Sequence, residues 1–279
     1  MIDLHCHTTA SDGLMTPSDI VKHAIRAEIK VLAIADHDTV TGLNEANQAA
    51  EEMGICFIPA IELSVEHPTG DFHLLGYGID YKNQDFFSQL AILRSNREAR
   101  IPRIIERLNQ IGMKLTLEDV NEESQDAVPG KPHVARVLVK KGYAPDVSSA
   151  VKQYLNKGMP GYVHKDKIDA DFAFNLIKSV GGLPVLAHPK SLKCENPGEY
   201  VRIVESFILL GLVGIEAYAS LHEDADVELF SEIAQRHNLI ATGGSDFHGE
   251  DGERLGCYGG CRIIPESCAQ SLFHSMNGK

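Results

Sequence analysis

Short apolar runs that end on a histidine or a carboxylate recur along the chain. Val31-Leu32-Ala33-Ile34-Ala35 stops at Asp36-His37-Asp38, and the run 55–61 stops at Glu62. The run 183–187 exits at His188-Pro189, 213–218 carries Glu216, and 239–242 leads into Gly243-Gly244-Ser245-Asp246-Phe247-His248. Ile2-Asp3-Leu4 leads into His5 and His7, and the run 72–79 carries His73 near its start. Continuous apolar runs of this length predict strands buried on both faces, as in a parallel sheet covered by helices. Between them the apolar spacing turns helical. Thr16 and Pro17 open a helix, as N-cap and first helical residue, whose stripe is Ile20, Val21, Ala24, Ile25 and Ala27. Residues 42–53, 171–180, 199–210 and 227–237 predict further helices, and a short one follows Ser267.

From about 83 to 164 the strand signals nearly vanish. Residues 84–111 predict one long helix, with Arg94, Arg97, Arg100, Arg103 and Arg107 at spacings of three and four. Pro102 is placed to bend or break it. Residues 115–123, 132–141 and 146–156 predict more helices, the last with Asp146 as N-cap. The expected organisation is α/β: a β/α scaffold made of 1–82 and 165–279, with 83–164 as a helical insertion serving as lid or substrate subdomain. The competing reading is an unbroken series of β/α repeats with weak strands.

Composition narrows the classes. A chain of 279 residues, 43% hydrophobic and 23% charged, suits one large α/β domain or a domain with an insertion. No apolar run reaches the roughly 18–20 residues of a membrane span. The N-terminus has no basic-then-apolar leader. The six cysteines are scattered, which reads as reduced thiols in a cytoplasmic protein. A net charge of −13 argues against gripping long nucleic acid through its phosphates. It leaves room for a small phosphorylated substrate if metals and a few local cations supply the positive field.

Residues i and i+2 of an extended strand share a face, so His5 and His7 converge on one point. Alone, that pair is weak, because two polar residues at a strand exit need no function. Asp12-Gly13 adds a carboxylate on a turn that can fold back over the strand end. Nine such groups fall at strand ends or beside them: His5, His7, Asp12, His37, Glu62, His73, His188, Asp246 and His248. That is where a β/α barrel builds its active site. One mononuclear site takes about three or four protein ligands, so nine imply a centre of two or three divalent ions. Asp36 and Asp38 read either as supports of His37 or as helix caps. Gly243-Gly244 reads as a phosphate nest or, more simply, as close packing beside the metals. Tyr218 reads as core before it reads as a platform for a base.

Several motifs occurring together in order carry a resemblance. They are H-C-H at 5–7, S-D-G at 11–13, A-D-H-D at 35–38, Glu62 after I-P-A-I, H-L-L-G-Y-G at 73–78, A-H-P at 187–189 and G-S-D-F-H at 244–248. The chain resembles, end to end, the PHP superfamily, which includes histidinol phosphatases and domains of bacterial replicative polymerases. G-K-P-H-V-A-R at 130–136 and P-G-Y-V at 160–163 resemble the insertion of its stand-alone members. Those hydrolyse 3′,5′-nucleoside bisphosphates and short oligoribonucleotides from the 5′ end. The resemblance implies a distorted (β/α)7, TIM-like barrel with a trinuclear metal centre. It implies one metal on His5, His7, Glu62 and Asp246, a second on Glu62, His73 and His188, and a third on Asp12, His37 and His248. Some relatives carry His where this chain has Asp12, and the carboxylate hardens that site towards Mn or Fe over Zn.

The chemistry expected of such a centre is attack on phosphorus by a water that two ions have acidified. Glu62, Asp246 and His188 are its expected catalytic core, and Mn²⁺ is the favoured metal, with Zn²⁺ or Fe²⁺ as alternatives. Arg97, Arg100, Lys131, His133 and Arg136 are the expected contacts of the substrate phosphates, although exposed arginines on a helix also arise without function. Lys131 stands where relatives often have Arg, and an ammonium is a point charge rather than a fork. The expected partner is a small phosphorylated nucleotide or short oligoribonucleotide, with no long nucleic acid and no membrane. Two alternatives keep the metals and change the substrate: a histidinol-phosphate-type phosphomonoesterase, or a C–N hydrolase of amidohydrolase type. A third makes the chain a metal-stabilised accessory module without turnover.

Overall fold

The structure is a computed structural model that describes residues 1–98, 100–124, 129–163 and 168–278, with only the backbone described for 94–98. One sheet takes seven strands in chain order: β1 (Ile2–Cys6), β2 (Val31–Ile34), β3 (Cys56–Val65), β4 (Phe72–Tyr77), β5 (Leu183–Leu186), β6 (Gly214–Ala219) and β7 (Ile240–Gly244). Its two edges approach each other. His7 N–H donates to the Phe247 carbonyl at 2.8 Å and Asp246 N–H to that of His5 at 2.8 Å, so the sheet nearly closes into a barrel.

The seven strands expected from the sequence are present, but they do not all run the same way. β1, β2 and β3 are parallel, as are β5, β6 and β7, whereas β4 is antiparallel to both neighbours. The reason is length. A parallel crossover needs about a dozen residues or more, and only 66–71 join β3 to β4. Reversal puts the start of β4 on the same rim as the ends of the parallel strands. Ser64 stands opposite His73, and Leu74 opposite Leu186.

Helices cover the outside. α1 (Pro17–Arg26) begins as expected, with Thr16 Oγ1 accepting from Asp19 N–H at 3.2 Å. α2 (Leu43–Met53) stops at Gly54, which takes a left-handed φ of 71°. Between β4 and β5 lie α3 (Gln84–Glu98), α4 (Arg100–Gln110), α5 (Leu117–Ser124), α6 (Lys131–Lys140) and α7 (Val147–Ala150), the last running into a π-helical turn at Val151–Leu155. α8 (Ala170–Ser179), α9 (Pro197–Leu210), α10 (Asp224–Arg236) and α11 (Ser267–Asn277) complete the set, with a small hairpin of β8 (Cys257–Tyr258) and β9 (Arg262–Ile263) before α11. No helix among the described residues is long and apolar enough to cross a membrane.

The stretch expected to be one helix over 84–111 is helical over 84–98 (α3) and 100–110 (α4), with 99 outside the described residues, and Pro102 lies within α4. The two helices also bury against different neighbours. Phe86 and Leu90 of α3 join the apolar layer between barrel and helices, with Leu32, Leu74, Phe174 and Phe207. Ile101, Ile104, Ile105 and Leu108 of α4 form a separate cluster with Val120, Val134 and Leu138. A third cluster fills the barrel around Leu4, Ala33, Leu75, Tyr77 and Val185, and Leu272 of α11 packs onto it.

The closure between β7 and β1 depends on one glycine. A Cβ at Gly244 would lie 2.1 Å from the His5 Cβ and 2.6 Å from its backbone nitrogen. Gly243 and Gly244 are there for packing. Gly244→Ala must push β1 and β7 apart, and overpacking of this kind costs about 1–3 kcal/mol. Urea unfolding of the variant should show its midpoint lowered accordingly. An unchanged midpoint would mean that the two strands are free to separate.

Candidate metal centre

Every strand brings a polar side chain to the shared rim. β1 has a register shift between Asp3 and Cys6, and the two imidazoles at its exit still converge. His5 Nε2 lies 3.1 Å from His7 Nε2, which lies 3.1 Å from Asp246 Oδ1. Glu62 is fully buried at the middle. Its Oε1 meets His73 Nδ1 at 2.9 Å and His188 Nε2 at 3.0 Å, and its Oε2 meets His37 Nδ1 at 2.8 Å. Asp12 Oδ1 lies 3.6 Å from His248 Nε2 and 3.8 Å from His7 Nδ1. The structure thus brings together all nine groups singled out from the sequence.

Their ligand atoms fall into three sets, each within 4.8 Å: His7, Asp12, His37 and His248; His5, His7 and Asp246; and His37, Glu62 and His73. They overlap the grouping implied by the resemblance in His5, His7 and Asp246, in Asp12, His37 and His248, and in Glu62 and His73. His7 additionally joins the Asp12 set, and His37 also stands beside Glu62 and His73. His188 joins through Glu62. Holding this arrangement strains the backbone. Asp38, His188 and Asp246 have positive φ of 56°, 24° and 53°. Such conformations cost about 1–3 kcal/mol each and persist where the surroundings impose them.

The electrostatics divide the imidazoles. Burial disfavours charge on His5, but Glu216, Glu62 and Asp246 outweigh it and hold its pKa well above the usual range. Burial also opposes charge on His188, yet its hydrogen bond to Glu62 and the nearby carboxylates lift it to about 9. His7 drops to about 3, through burial and the neighbouring His248, and burial takes His73 to about 4. Burial would push Glu62 up, but His37, His73 and His5 hold it well below the carboxylate range. Asp246 is likewise held down against its burial by His5 and by the hydrogen bond with His7.

The donor set fits divalent cations. Two Nε2 atoms facing each other at 3.1 Å have at most one hydrogen bond to share. His7 Nδ1 is buried and has no hydrogen-bond partner among the described residues, although buried ring nitrogens normally find one. Clustered imidazoles and carboxylates suit Mn, Fe or Zn.

Further carboxylates hold these groups in place. Asp3 accepts from Ser245 Oγ at 2.6 Å, Gly256 N–H at 2.7 Å, Ser245 N–H at 3.0 Å and His5 N–H at 3.2 Å, which ties the exits of β1 and β7 together. Its burial lifts its pKa to about 6 against those bonds. Asp36 accepts from Ser11 Oγ at 2.6 Å and from Thr8 N–H and Oγ1 at 2.8 Å each, so it steadies the loop that carries Asp12. Asp38 accepts from Ser64 N–H at 2.9 Å. Glu216 reaches both His5 and the backbone of His188. Sequence reasoning left Asp3 and Glu216 out of the site; the available signal was a lone carboxylate inside an apolar run.

The expected phosphate contacts are more dispersed. Lys131 opens α6 half-buried, and His133 is buried two residues on, its Nδ1 accepting from Gly130 N–H at 2.9 Å. Nε2 of that ring therefore carries the proton and can donate. Arg100 Nε donates to the Val163 carbonyl at 2.8 Å. The side chain of Arg97 lies outside the described residues. Arg136 is buried, with Nε and Nη2 on Glu250 Oε1 at 2.9 and 2.7 Å and Nη2 on the Asp12 carbonyl at 2.8 Å. His133 and Arg136 are three residues apart and share a helix face, and Arg136 on that face reaches the loop that carries Asp12.

Known proteins with the same features are similar over nearly the whole length. The model of the PHP domain matches residues 3–158. A 3′,5′-nucleoside bisphosphate phosphatase from Chromobacterium violaceum is 34% identical over 267 residues, covering 91% of this chain and 90% of that one. A 5′-3′ exoribonuclease from Haemophilus influenzae is 31% identical over 88% of this chain and 89% of its own. Among solved structures, an amidohydrolase from Chromobacterium violaceum with bound sulfate superposes with a TM-score of 0.87 at 30% identity, over 99% of this chain and 96% of that one. A protein from Bifidobacterium adolescentis proposed to be a metal-dependent phosphoesterase superposes with a TM-score of 0.87 at 29% identity, over 98% and 95%. With this likeness in sequence and fold over most of its length, the chain belongs to the PHP-domain family, as a hydrolase of phosphoric esters.

Proposed function

We propose that the chain hydrolyses phosphate esters of small nucleotides. Its substrates are 3′,5′-nucleoside bisphosphates, giving the nucleoside 5′-monophosphate and phosphate, and short oligoribonucleotides taken from the 5′ end. The observation that carries this reading is the nine-donor rim, with α6 fastened through Arg136 to the loop that bears Asp12. The names of the relatives point to the same substrates. The six cysteines are unpaired, which accords with a cytoplasmic setting.

Two or three divalent ions, with Mn²⁺ favoured, are proposed on His5, His7, Asp12, His37, Glu62, His73, His188, Asp246 and His248. Bound there, they would polarise the phosphoryl oxygens and make a water acidic enough to attack at neutral pH. The residues do the rest. Glu62 presents an oxygen to each side, fixed by His73 and His188 on one and His37 on the other. Asp246, on its left-handed backbone, aims Oδ1 between His5 and His7. His188 is oriented by Ser191 Oγ, 3.0 Å from its Nδ1. Residues 83–164 act as lid, and Lys131, His133, Arg97 and Arg100 meet the substrate phosphates. Arg136, engaged by Glu250 and Asp12, contributes by keeping α6 at the mouth.

Metal binding should displace protons. His5 and His188 have raised pKa values, the latter about 9, so both are protonated at pH 7 and must release a proton to bind an ion. Calorimetric Mn²⁺ titration in buffers of different ionisation enthalpy should show proton release at pH 7, fading as the pH passes 9. Elemental analysis of the loaded protein should find at least two equivalents per chain. One equivalent or fewer rejects a multinuclear centre.

Glu62→Gln and Asp246→Asn should each lower kcat by at least about 100-fold, with the circular dichroism spectrum unchanged. Near-normal turnover with metal retained would place the reaction elsewhere.

Phosphate release with added Mn²⁺, compared across bisphosphonucleotides, short RNA and histidinol phosphate, tests the substrate. The nucleotides should give the highest kcat/KM, and Lys131→Ala and His133→Ala should weaken them through KM and kcat together while metal content stays constant. A preference for histidinol phosphate would overturn the nucleotide reading. Loss of metal in His133→Ala would make that residue a ligand.

A further inference from the structure

Glu216 lies in the middle of β6, fully buried, in the run Gly214-Ile215-Glu216-Ala217. A carboxylate there needs N–H partners. It finds two, on two different strands. Oε2 accepts from the backbone N–H of His188 at 2.8 Å. Oε1 stands 3.0 Å from His5 Nδ1. The amide can only donate, so the carboxylate is already an acceptor on one oxygen. With the second oxygen accepting as well, the proton on His5 sits on Nδ1, and Nε2 keeps its lone pair for the centre shared with His7 and Asp246. The first contact matters for another reason. His188 has φ 24° and ψ 64°, a conformation that needs an external hold. The N–H taken by Glu216 belongs to that residue.

We infer that Glu216 is a positioning residue that sets the proton-bearing nitrogen of His5 and holds the strained backbone of His188, so that imidazoles from β1 and β5 stay aimed at a common set of ions. The inference rests on the metal-dependent reading above. A glutamine cannot replace the carboxylate, because it offers one acceptor where two are needed. If its NH₂ faces His5, the ring must accept on Nδ1, and its proton moves to Nε2, which then cannot bind a cation. If its NH₂ faces His188, two donors oppose each other across a buried contact.

The test is Mn²⁺ binding to wild type and Glu216→Gln, followed by calorimetry, beside thermal unfolding of both proteins without metal. Wild type comes first. If it binds fewer than two equivalents, the multinuclear reading fails and takes this inference with it. Given that it binds at least two, the variant should bind the equivalents that depend on His5 and on His188 about 10–100-fold more weakly. Excess Mn²⁺ should restore part of its kcat. A variant that melts lower but binds every equivalent as wild type does would show Glu216 to be structural only, and would overturn the inference. Should the variant not fold, ¹⁵N–¹H spectra of Zn²⁺-loaded wild type decide the matter. The His5 proton is expected on Nδ1, and finding it on Nε2 overturns the assignment.

Discussion

A carboxylate sealed inside a barrel has to be met by donors or by cations, and Glu62 is the group around which that requirement is organised. It is fully buried, and its two oxygens are met by imidazoles from three segments. Imidazoles are unusual partners for a permanent buried ion pair, because each can lose its proton near neutral pH. Nearby carboxylates let His5 and His188 hold their protons against burial, whereas burial makes His7 and His73 give theirs up. An assembly in which protons are so unevenly shared is suited to exchange some of them for metal ions. The reversed β4, the glycine at the β1–β7 closure and the left-handed backbones at His188 and Asp246 all serve one geometric end. They bring side chains from separate strands within hydrogen-bonding distance of a few points.

Much of this was legible along the chain, for a physical reason. A strand buried on both faces must be apolar throughout, so a histidine or carboxylate at its end stands out. That is why His37, Glu62, His188 and Asp246 could be read as exits. The direction of β4 was also available, in the six residues between Val65 and Phe72, too few to cross back over a sheet. The hairpin at Cys257–Tyr258 and Arg262–Ile263 was not, since two-residue strands have no periodicity to detect. The helix expected over 84–111 is described on both sides of 99. That α3 packs on the barrel and α4 on the insertion depends on tertiary contacts absent from the pattern.

The supporting groups were hidden for a different reason. One carboxylate in an apolar strand, such as Glu216 or Asp3, does not say what it faces, because its partners lie 211 residues away in the first case and 242 in the second. Asp36 was noticed beside His37 but turns to Thr8 and Ser11. It therefore acts on Asp12 through the loop. Adjacency to His37 leaves supporting it or capping a helix as open readings for Asp36, and neighbouring side chains of an extended segment point to opposite sides.

Arg136 shows how the insertion and the metal centre are joined without interfering. Its guanidinium takes the carboxylate of Glu250 and the main-chain carbonyl of Asp12. Those two loops also bear His248 and the Asp12 side chain. An arginine that gripped the Asp12 carboxylate directly would neutralise a ligand and compete with any cation for it. By taking the carbonyl, Arg136 leaves the carboxylate oxygens turned to His248, His7 and His37 at 3.6–3.9 Å. The positive charge of α6 is thus anchored at the mouth while the ligand set keeps its own charge. The position of α6 and the position of Asp12 then become one property of the fold, because neither can shift without breaking the same buried contact.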